Sequence, residues 1–323
     1  DRLTLTSLHE TPSIMQSGGS MSREERLLTL YTTIYDACKA HGKGLVIRDF
    51  IVKHEDAGSF FRIMDALPDD VVVMTKEVFA DWTHLNLPLT QSLSAYRGRN
   101  LVVEVDVYGE YAGRLDMPCC IPEYVHDAVR GILPFEPLGV TARLLHDNAN
   151  SRHFKTIFDS PNDINVYALG RFLHDPGYQL APDQRWHGNY AQMDGAVWRE
   201  WAIARYGEQA AATIVRALRR TAEIVRLTYD AARLYDQVHS QLPPTLNHPH
   251  FRGCPQPTLE DRLDSVGFEM LRDEKEEALH LAERSLADVE SVADALEPSD
   301  SRRLKDLFEG TIFIIKAFRA RLE

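Results

Sequence analysis

The stretch that decides the fold runs from residue 71 to residue 113 and contains two apolar segments, each followed by an acidic loop. Residues 71–76 read VVVMTK and lead into EVFADW, and residues 100–107 read NLVVEVDV and lead into YGEYAG. Apolar runs of this length predict strands of a parallel sheet. In (β/α)8 barrels the loops after such strands carry the catalytic groups. The stretch therefore predicts barrel strands with two acids, Asp81 and Glu110, beyond their carboxyl ends.

The first 160 residues alternate strand-like and helix-like segments, which predicts parallel βα units. The clearest helix is expected over 22–41, where Ser22 and Glu25 form a capping box. A closed barrel needs eight strands, so we expect the C-terminal portion of a barrel whose first strands are absent from this chain. Such a portion has open sheet edges. The five expected strands cover residues 3–7, 45–52, 71–76, 100–107 and 139–145.

The rest of the chain predicts helices only. The last helix is expected to follow a break at 297–299, with Asp300 or Ser301 as its N-cap. The predicted fold class is therefore α/β, with a portion of a (β/α)8 TIM-type barrel over residues 1–160 and an all-α helical domain over residues 161–323. The expected helices cover residues 165–173, 195–206, 208–234, 261–295 and 301–322.

Composition narrows the function classes. The chain carries 36 Lys and Arg against 48 Asp and Glu, a net charge of −12, which argues against nucleic acid as a partner. No apolar run approaches the roughly 18 residues of a membrane span, so no membrane partner is expected. The first residues do not form a secretory signal, and the four cysteines lack metal-ligand spacing, which favours a cytoplasmic protein. The sequence does not begin with methionine, so truncation or processing of the N-terminus stays open as an alternative.

Three acids follow predicted strands: Glu10, Asp81 and Glu110. Inverting hydrolysis of a glycosidic bond needs one carboxylic acid that protonates the leaving oxygen. It also needs a carboxylate that activates water, roughly 6.5–9.5 Å away. Neighbouring strand ends of a barrel supply carboxylates at such spacing. A single acid at a strand end is more often a solvated loop residue or a helix cap, and it is the recurrence after three strands that favours catalysis.

Two cations lie near the ends of predicted strands, Arg48 and Lys76. Each is either a structural partner of Glu104 or Asp106, whose side chains point away from the neighbouring valines, or a contact to an anionic sugar. Aromatic residues beside the acids are candidates for stacking on a sugar ring, although such residues are equally often part of a core. The aromatic candidates for substrate binding are Trp82 and Tyr108.

No dense group of metal ligands, phosphate-binding loop or nucleophile elbow is found, so no cofactor is expected. A metal site formed by Asp81, His84 and Glu110 stays open as an alternative. It would indicate a metal-dependent barrel hydrolase.

Four segments resemble the α-glucuronidases of glycoside hydrolase family 67, in the same order along the chain. Residues 74–81 (MTKEVFAD) are similar to that family's strand ending in a lysine, five positions before a catalytic aspartate. Residues 109–113 (GEYAG) resemble its Gln-Glu-Tyr-Leu-Gly, and residues 47–51 (IRDFI) its Trp-Arg-Ala-Phe-Val. Residues 165–172 (NVYALGRF) closely resemble Asn-Leu-Tyr-Ala-Phe-Gly-Arg-Leu at the opening of its helical domain. The resemblance covers roughly residues 1–235.

The resemblance implies a role for each matched residue. Asp81 and Glu110 would activate the water, Arg48 and Lys76 would bind the uronate carboxylate, and Glu10 would be the general acid. Two departures stand out: residues 77–80 (EVFA) replace the family's Asn-Gly-Pro-Ile, and the residues around Glu10 do not reproduce the family motif.

The expected function is that of an inverting, exo-acting glycosidase, similar to α-glucuronidases, which removes a uronic acid from plant-type oligosaccharides as in xylan degradation. Its partner is the carbohydrate substrate, and a homodimer is possible. The alternatives are a metal-dependent barrel hydrolase and a non-catalytic carbohydrate-binding remnant.

Overall fold

The computed structural model describes most of the chain, with one parallel, curled sheet and a majority of helices. The chain divides into two compact units, which are treated separately below. The first comprises residues 1–82, 86–106 and 128–142, and the second 83–85, 107–127 and 143–323. The predicted boundary near residue 160 stays a prediction. The described residues are 2–6, 20–49, 51, 54–78, 89–107, 117–142, 144, 157–175, 195–229 and 268–320.

The sheet of the first unit is entirely parallel, and its strand order follows the chain, β1-β2-β3-β4-β5. A doubly wound sheet would instead reverse its order at one point. The five predicted strands are confirmed, with shorter carboxyl ends for four of them. The strands are β1 (Arg2–Thr6), β2 (Gly44–Arg48), β3 (Val72–Lys76), β4 (Asn100–Val105) and β5 (Gly139–Ala142).

Four helices occur among the described residues up to residue 142: α1 (Arg23–Ala40), α2 (His54–Ala66), α3 (Gln91–Ala95) and α4 (Pro122–Ile132). The predicted capping box of α1 is confirmed. The Ser22 hydroxyl accepts a hydrogen bond from the Glu25 N–H at 3.2 Å, and the Glu25 carboxylate accepts one from the Ser22 N–H at 2.7 Å. Both bonds are local, which is why the sequence was sufficient to place them.

The two faces of the sheet differ in chemistry because successive side chains of a strand point to opposite sides. One face is apolar and buried, and α1 packs beside its strand β2. The other face carries Arg48, Lys76 and Glu104 at its carboxyl end. The buried residues of the apolar face include Leu45, Ile47, Val73, Leu101, Val103 and Val105.

The second unit contains the first part of α4, residues 122–127, and the described helices that follow residue 142. Its core is built around Trp198, Ile214, Leu218 and Phe308. None of the described helices combines the length and the apolar character needed to cross a membrane. The helices are α5 (Asp163–His174), α6 (Ala196–Tyr206), α7 (Glu208–Arg219), α8 (Thr221–Tyr229), α9 (Phe268–Ser291) and α10 (Pro298–Arg319).

Two predictions about these helices were wrong. The single helix expected over 208–234 is divided at Arg220, where the Thr221 hydroxyl donates to the Leu218 carbonyl at 2.5 Å and accepts from the Cys120 N–H at 2.9 Å. Such side-chain bonds to the backbone compete with helix continuation. The last helix begins at Pro298 rather than after Asp300, since proline is tolerated in the first helical position.

Asn165 holds together the irregular backbone of the second unit. Its Oδ1 accepts from the Ile121 N–H at 2.6 Å, and its Nδ2 donates to the carbonyls of Val107 at 3.1 Å and Cys119 at 2.9 Å. Asn165 is fully buried, so these backbone groups have a side-chain partner where no water is close. The first residue of the NVYALGRF segment is thus a structural clamp.

We expect Asn165→Ala to lower the free energy of unfolding of the second unit by at least about 3 kcal/mol, because three buried backbone groups lose their partner. Tyr167→Phe is the matched control on the same helix. It removes an exposed bond to Glu200 and should change stability by less than about 0.5 kcal/mol. Urea unfolding followed by intrinsic tryptophan fluorescence, to which the buried Trp198 and Trp201 of the second unit contribute, measures both. If both substitutions changed the free energy of unfolding by similar, small amounts, the proposed structural role of Asn165 would be contradicted.

Candidate functional site

Charged side chains gather at the carboxyl end of the sheet in the first unit. Arg48 is the last residue of β2, Lys76 is the last residue of β3, and Glu104 is the penultimate residue of β4. Lys76 and Glu104 are register partners, and Arg48 pairs in register with Met74, so all of them belong to the polar face. The structure therefore brings the two predicted substrate-binding cations to adjacent strand ends.

Arg48 and Glu104 form a bidentate ion pair. The Arg48 Nε donates to Glu104 Oε2 at 2.8 Å, and Nη2 donates to Oε1 at 3.0 Å. The side chains are only 13% and 8% exposed, and they meet across β3, which lies between their strands. Two parallel charge-assisted bonds set both the position and the plane of the guanidinium group. The partnership of Arg48 with Glu104 is thus observed, and the role of Arg48 as a contact to substrate stays a prediction.

Glu77, directly after β3, fastens the ends of two strands. Its carboxylate accepts from the Asp106 N–H at 2.9 Å, and its own N–H donates to the Glu104 carbonyl at 3.0 Å. Its carbonyl accepts from the Thr90 N–H at 2.7 Å. Glu77 is 1% exposed. It is the first residue of the EVFA segment, and sequence reasoning assigned it no role.

Asp49, the residue after Arg48, was also missed. It is buried with the apolar face, and burial raises its pKa to about 6, although nearby hydroxyls and the charge of Arg48 act in the opposite direction. The pKa of Tyr31 is raised to about 12 by its own burial and by Asp49. Asp49 alternates with the buried residues Leu45 and Ile47. This alternation was the signal in the sequence that could have placed Asp49 on the buried face of the sheet. The hydroxyls facing it belong to Thr75, Tyr96 and Ser92.

The other predicted site residues lie outside the described residues. These are the three catalytic candidates and the two aromatic candidates: Glu10, Asp81, Glu110, Trp82 and Tyr108. Their roles stay predictions. Within the described residues, the candidate site consists of Arg48, Lys76 and Glu104 on the polar face, and Glu77 and Asp106 follow the ends of β3 and β4 beside it, all in the first unit.

A second buried carboxyl group lies in the second unit. Glu123 accepts from the indole N–H of Trp198 at 2.6 Å, and the Arg219 guanidinium lies 5.3 Å from the centre of the Trp198 ring. Burial raises the pKa of Glu123 to about 7, against the effects of the indole bond and of Arg219. Trp198 belongs to the helical core, so this group serves packing within the unit.

The described part of the chain has no cluster of three or more His, Cys, Asp or Glu side chains that could hold a metal ion. The residues of the alternative metal site, Asp81, His84 and Glu110, are outside it.

Comparison with models of known protein families and with curated proteins finds no match for this chain. The similarity to α-glucuronidases therefore rests on the sequence motifs alone.

Asp49 makes stability depend on pH. Its pKa is about 6 in the folded chain and ordinarily 3.8, so the folded state keeps a proton that the unfolded state releases between these values. The free energy of unfolding should therefore fall as pH rises through this window, by up to about 3 kcal/mol. Asp49→Asn, neutral at every pH, should lose this slope and be more stable than the wild type above about pH 7.

The measurement is the difference in unfolding free energy between variant and wild type across this pH range. Asp36→Asn, at an exposed position of α1, is the control for a surface carboxylate. If the free energy of unfolding of Asp49→Asn still fell with rising pH, another titrating group would be its cause.

Proposed function

We propose that this protein is an inverting, exo-acting glycoside hydrolase, similar to the α-glucuronidases, that removes a terminal uronic acid from plant-type oligosaccharides. One observation carries the proposal: Arg48 and Lys76 end adjacent parallel strands on the polar face of the sheet. Paired cations in a largely buried setting suit the carboxylate of a uronosyl group.

The sheet supports the barrel part of the proposal. Five parallel strands whose order follows the chain are what a segment of a (β/α)8 barrel wall requires. In such barrels the substrate binds at the carboxyl end of the strands. The two cations lie at that end of this sheet. The proposed barrel is therefore consistent with the place of the proposed site.

The proposed reaction assigns one task to each group. Arg48 and Lys76 bind the uronate carboxylate and thereby fix the sugar ring. Asp81 and Glu110, which follow β3 and β4, accept the proton of a water whose oxygen attacks the anomeric carbon. Glu10, which follows β1, donates its proton to the leaving glycosidic oxygen as the carbon–oxygen bond breaks. The sugar is released with inverted configuration.

A hydrolysis screen of the full chain tests the proposal. Xylo-oligosaccharides capped with glucuronic acid and a set of neutral aryl glycosides are incubated with and without EDTA. We expect release of glucuronic acid that EDTA does not reduce, with the inverted anomer observed first by NMR. Loss of activity with EDTA would favour a metal-dependent hydrolase. Binding of the oligosaccharide without any release would favour a carbohydrate-binding remnant.

Asp81→Ala and Glu110→Ala should each lower turnover by roughly two to four orders of magnitude, because the attacking water loses its base. Asp36→Ala, which removes an exposed acid of α1, should leave turnover unchanged. Circular dichroism checks that all three variants are folded. Near-full activity in both site variants would mean that these acids are not the catalytic pair.

A further inference from the structure

Five oxygen-bearing side chains gather on the buried face of the sheet in the first unit, beside helices α1 and α3. Asp49 directly follows β2, and Thr75 of β3 lies next to it because Arg48 and Met74, one position earlier, are register partners. All five side chains are at most 3% exposed. The other three are Tyr31 on α1, Ser92 on α3 and Tyr96 directly after α3.

Three atoms of this group are buried and form no hydrogen bond within the described residues. They are Oδ2 of Asp49 and the hydroxyl oxygens of Tyr31 and Tyr96. The groups are neighbours, since burial and the nearby Asp49 carboxylate both raise the pKa of each tyrosine. The large majority of buried polar atoms in folded proteins have a partner. Three such atoms in one place therefore indicate a partner that they share.

We propose that Asp49, Tyr31 and Tyr96 bind a monovalent metal cation, sodium or potassium, with the hydroxyls of Thr75 and Ser92 beside it. This site goes beyond the proposed function, because it lies on the face of the sheet opposite to Arg48. Its occupation does not depend on whether the protein hydrolyses a glycoside.

The chemistry of the donors selects the class of cation. All five side chains offer oxygen, and none offers sulfur or imidazole, which favours a hard cation over zinc or copper. The group contains one carboxylate, whereas protein sites for calcium usually combine several. A single negative charge among neutral hydroxyl groups is balanced by a single positive charge.

The charge of Asp49 distinguishes a cation from a water molecule as the shared partner. An ionised carboxylate is costly to bury unless a positive charge lies against it. Arg48 acts on Asp49 from the neighbouring position, but its Nε and Nη2 donate to Glu104 on the other face of the sheet. A water molecule would supply hydrogen bonds without charge. A cation at Oδ2 supplies the charge and also binds the two tyrosine oxygens.

A proton competes with the cation for the carboxylate. Burial raises the pKa of Asp49 to about 6, while the surrounding hydroxyls and Arg48 lower it. Asp49 is therefore mostly neutral at about pH 5 and ionised at about pH 8. Because only the folded chain assembles these oxygens, the cation stabilises the folded state at pH 8 and has little effect at pH 5.

Other groups around the site are separated from Asp49 by their charge or by the variants below. The pKa values of both tyrosines are raised, so both stay protonated at pH 5 and pH 8, and the arginines stay charged. The charged and titratable groups that act on Asp49 or on its tyrosines are Tyr31 and Arg23 on α1, Asp65 on α2, Tyr96 after α3 and Arg48 on β2.

The experiment is urea unfolding followed by circular dichroism in about 0.1 M sodium, potassium or choline chloride, at equal ionic strength. The methyl groups of choline prevent direct coordination by oxygen atoms. In the wild type at pH 8, the better bound metal cation should raise the folding equilibrium constant about tenfold over choline, as for a dissociation constant of about 10 mM. At pH 5 the three salts should agree within about twofold. The fall in stability with rising pH expected for Asp49 should be largest in choline.

Three variants identify the ligands. Asp49→Asn should lose the cation effect at pH 8, since it removes the charge. Tyr31→Phe removes a single oxygen and should reduce the tenfold effect to about threefold or less. Tyr35→Phe is the matched control on the same helix, where the exposed hydroxyl donates to Asp70 at 2.8 Å. It should keep the full effect.

Equal folding constants of the wild type in all three salts at pH 8 would overturn the inference and leave water as the shared partner. An undiminished cation effect in Asp49→Asn or in Tyr31→Phe would also overturn it, because the cation would then bind elsewhere. If Asp49→Asn does not fold, the comparison of Tyr31→Phe with Tyr35→Phe decides.

Discussion

The ion pair between Arg48 and Glu104 is the interaction on which the charged end of the sheet depends. Each side chain is largely buried, and a buried charge that loses its partner is strongly destabilising. Because the pair spans β3, it can form only if β2, β3 and β4 are neighbours in that order, as they are. The Glu77 carboxylate adds a second constraint by binding the backbone where β4 ends. The ends of these strands are thus held by side-chain bonds as well as by the backbone hydrogen bonds of the sheet.

Three carboxyl groups have raised pKa values. In each, the effect of burial, which raises the pKa, is larger than the effect of the neighbouring groups, which lower it. The pKa of Asp49 in the first unit is raised to about 6, and in the second unit that of Glu123 is raised to about 7 and that of Asp163 to about 6. Each faces hydrogen-bond donors or a guanidinium group, but desolvation is the largest cause in every case. Elevated pKa values are common at functional sites. Here Asp49 is the group adjacent to the candidate site.

The candidate site was partly predictable. The position of Lys76 at the end of a strand followed from an apolar run whose limit is visible in the sequence, whereas Arg48 lay within the expected strand 45–52 and is the last residue of β2 only in the structure. The choice of Glu104 as the partner of Arg48 did not follow from the sequence, because their separation of 56 residues is bridged only when the strands assemble. Glu77 and Asp49 were missed for a similar reason. A carboxylate after an apolar strand resembles an exposed loop residue until the surrounding elements enclose it.

The sequence by itself determined features whose causes are local. The five strands follow from apolar runs, the parallel arrangement from their alternation with helices, and the start of α1 from the Ser22–Glu25 capping box. Tertiary structure decided where contacts across long separations compete with local preference. Thr221 divides a continuous helical pattern at Arg220 while its hydroxyl accepts from the Cys120 N–H, 101 residues earlier. Likewise, Asn165 binds backbone groups that are 44 to 58 residues away. A periodic pattern records which side chains prefer burial, but the partner of a buried polar group is selected only when folding brings distant segments together.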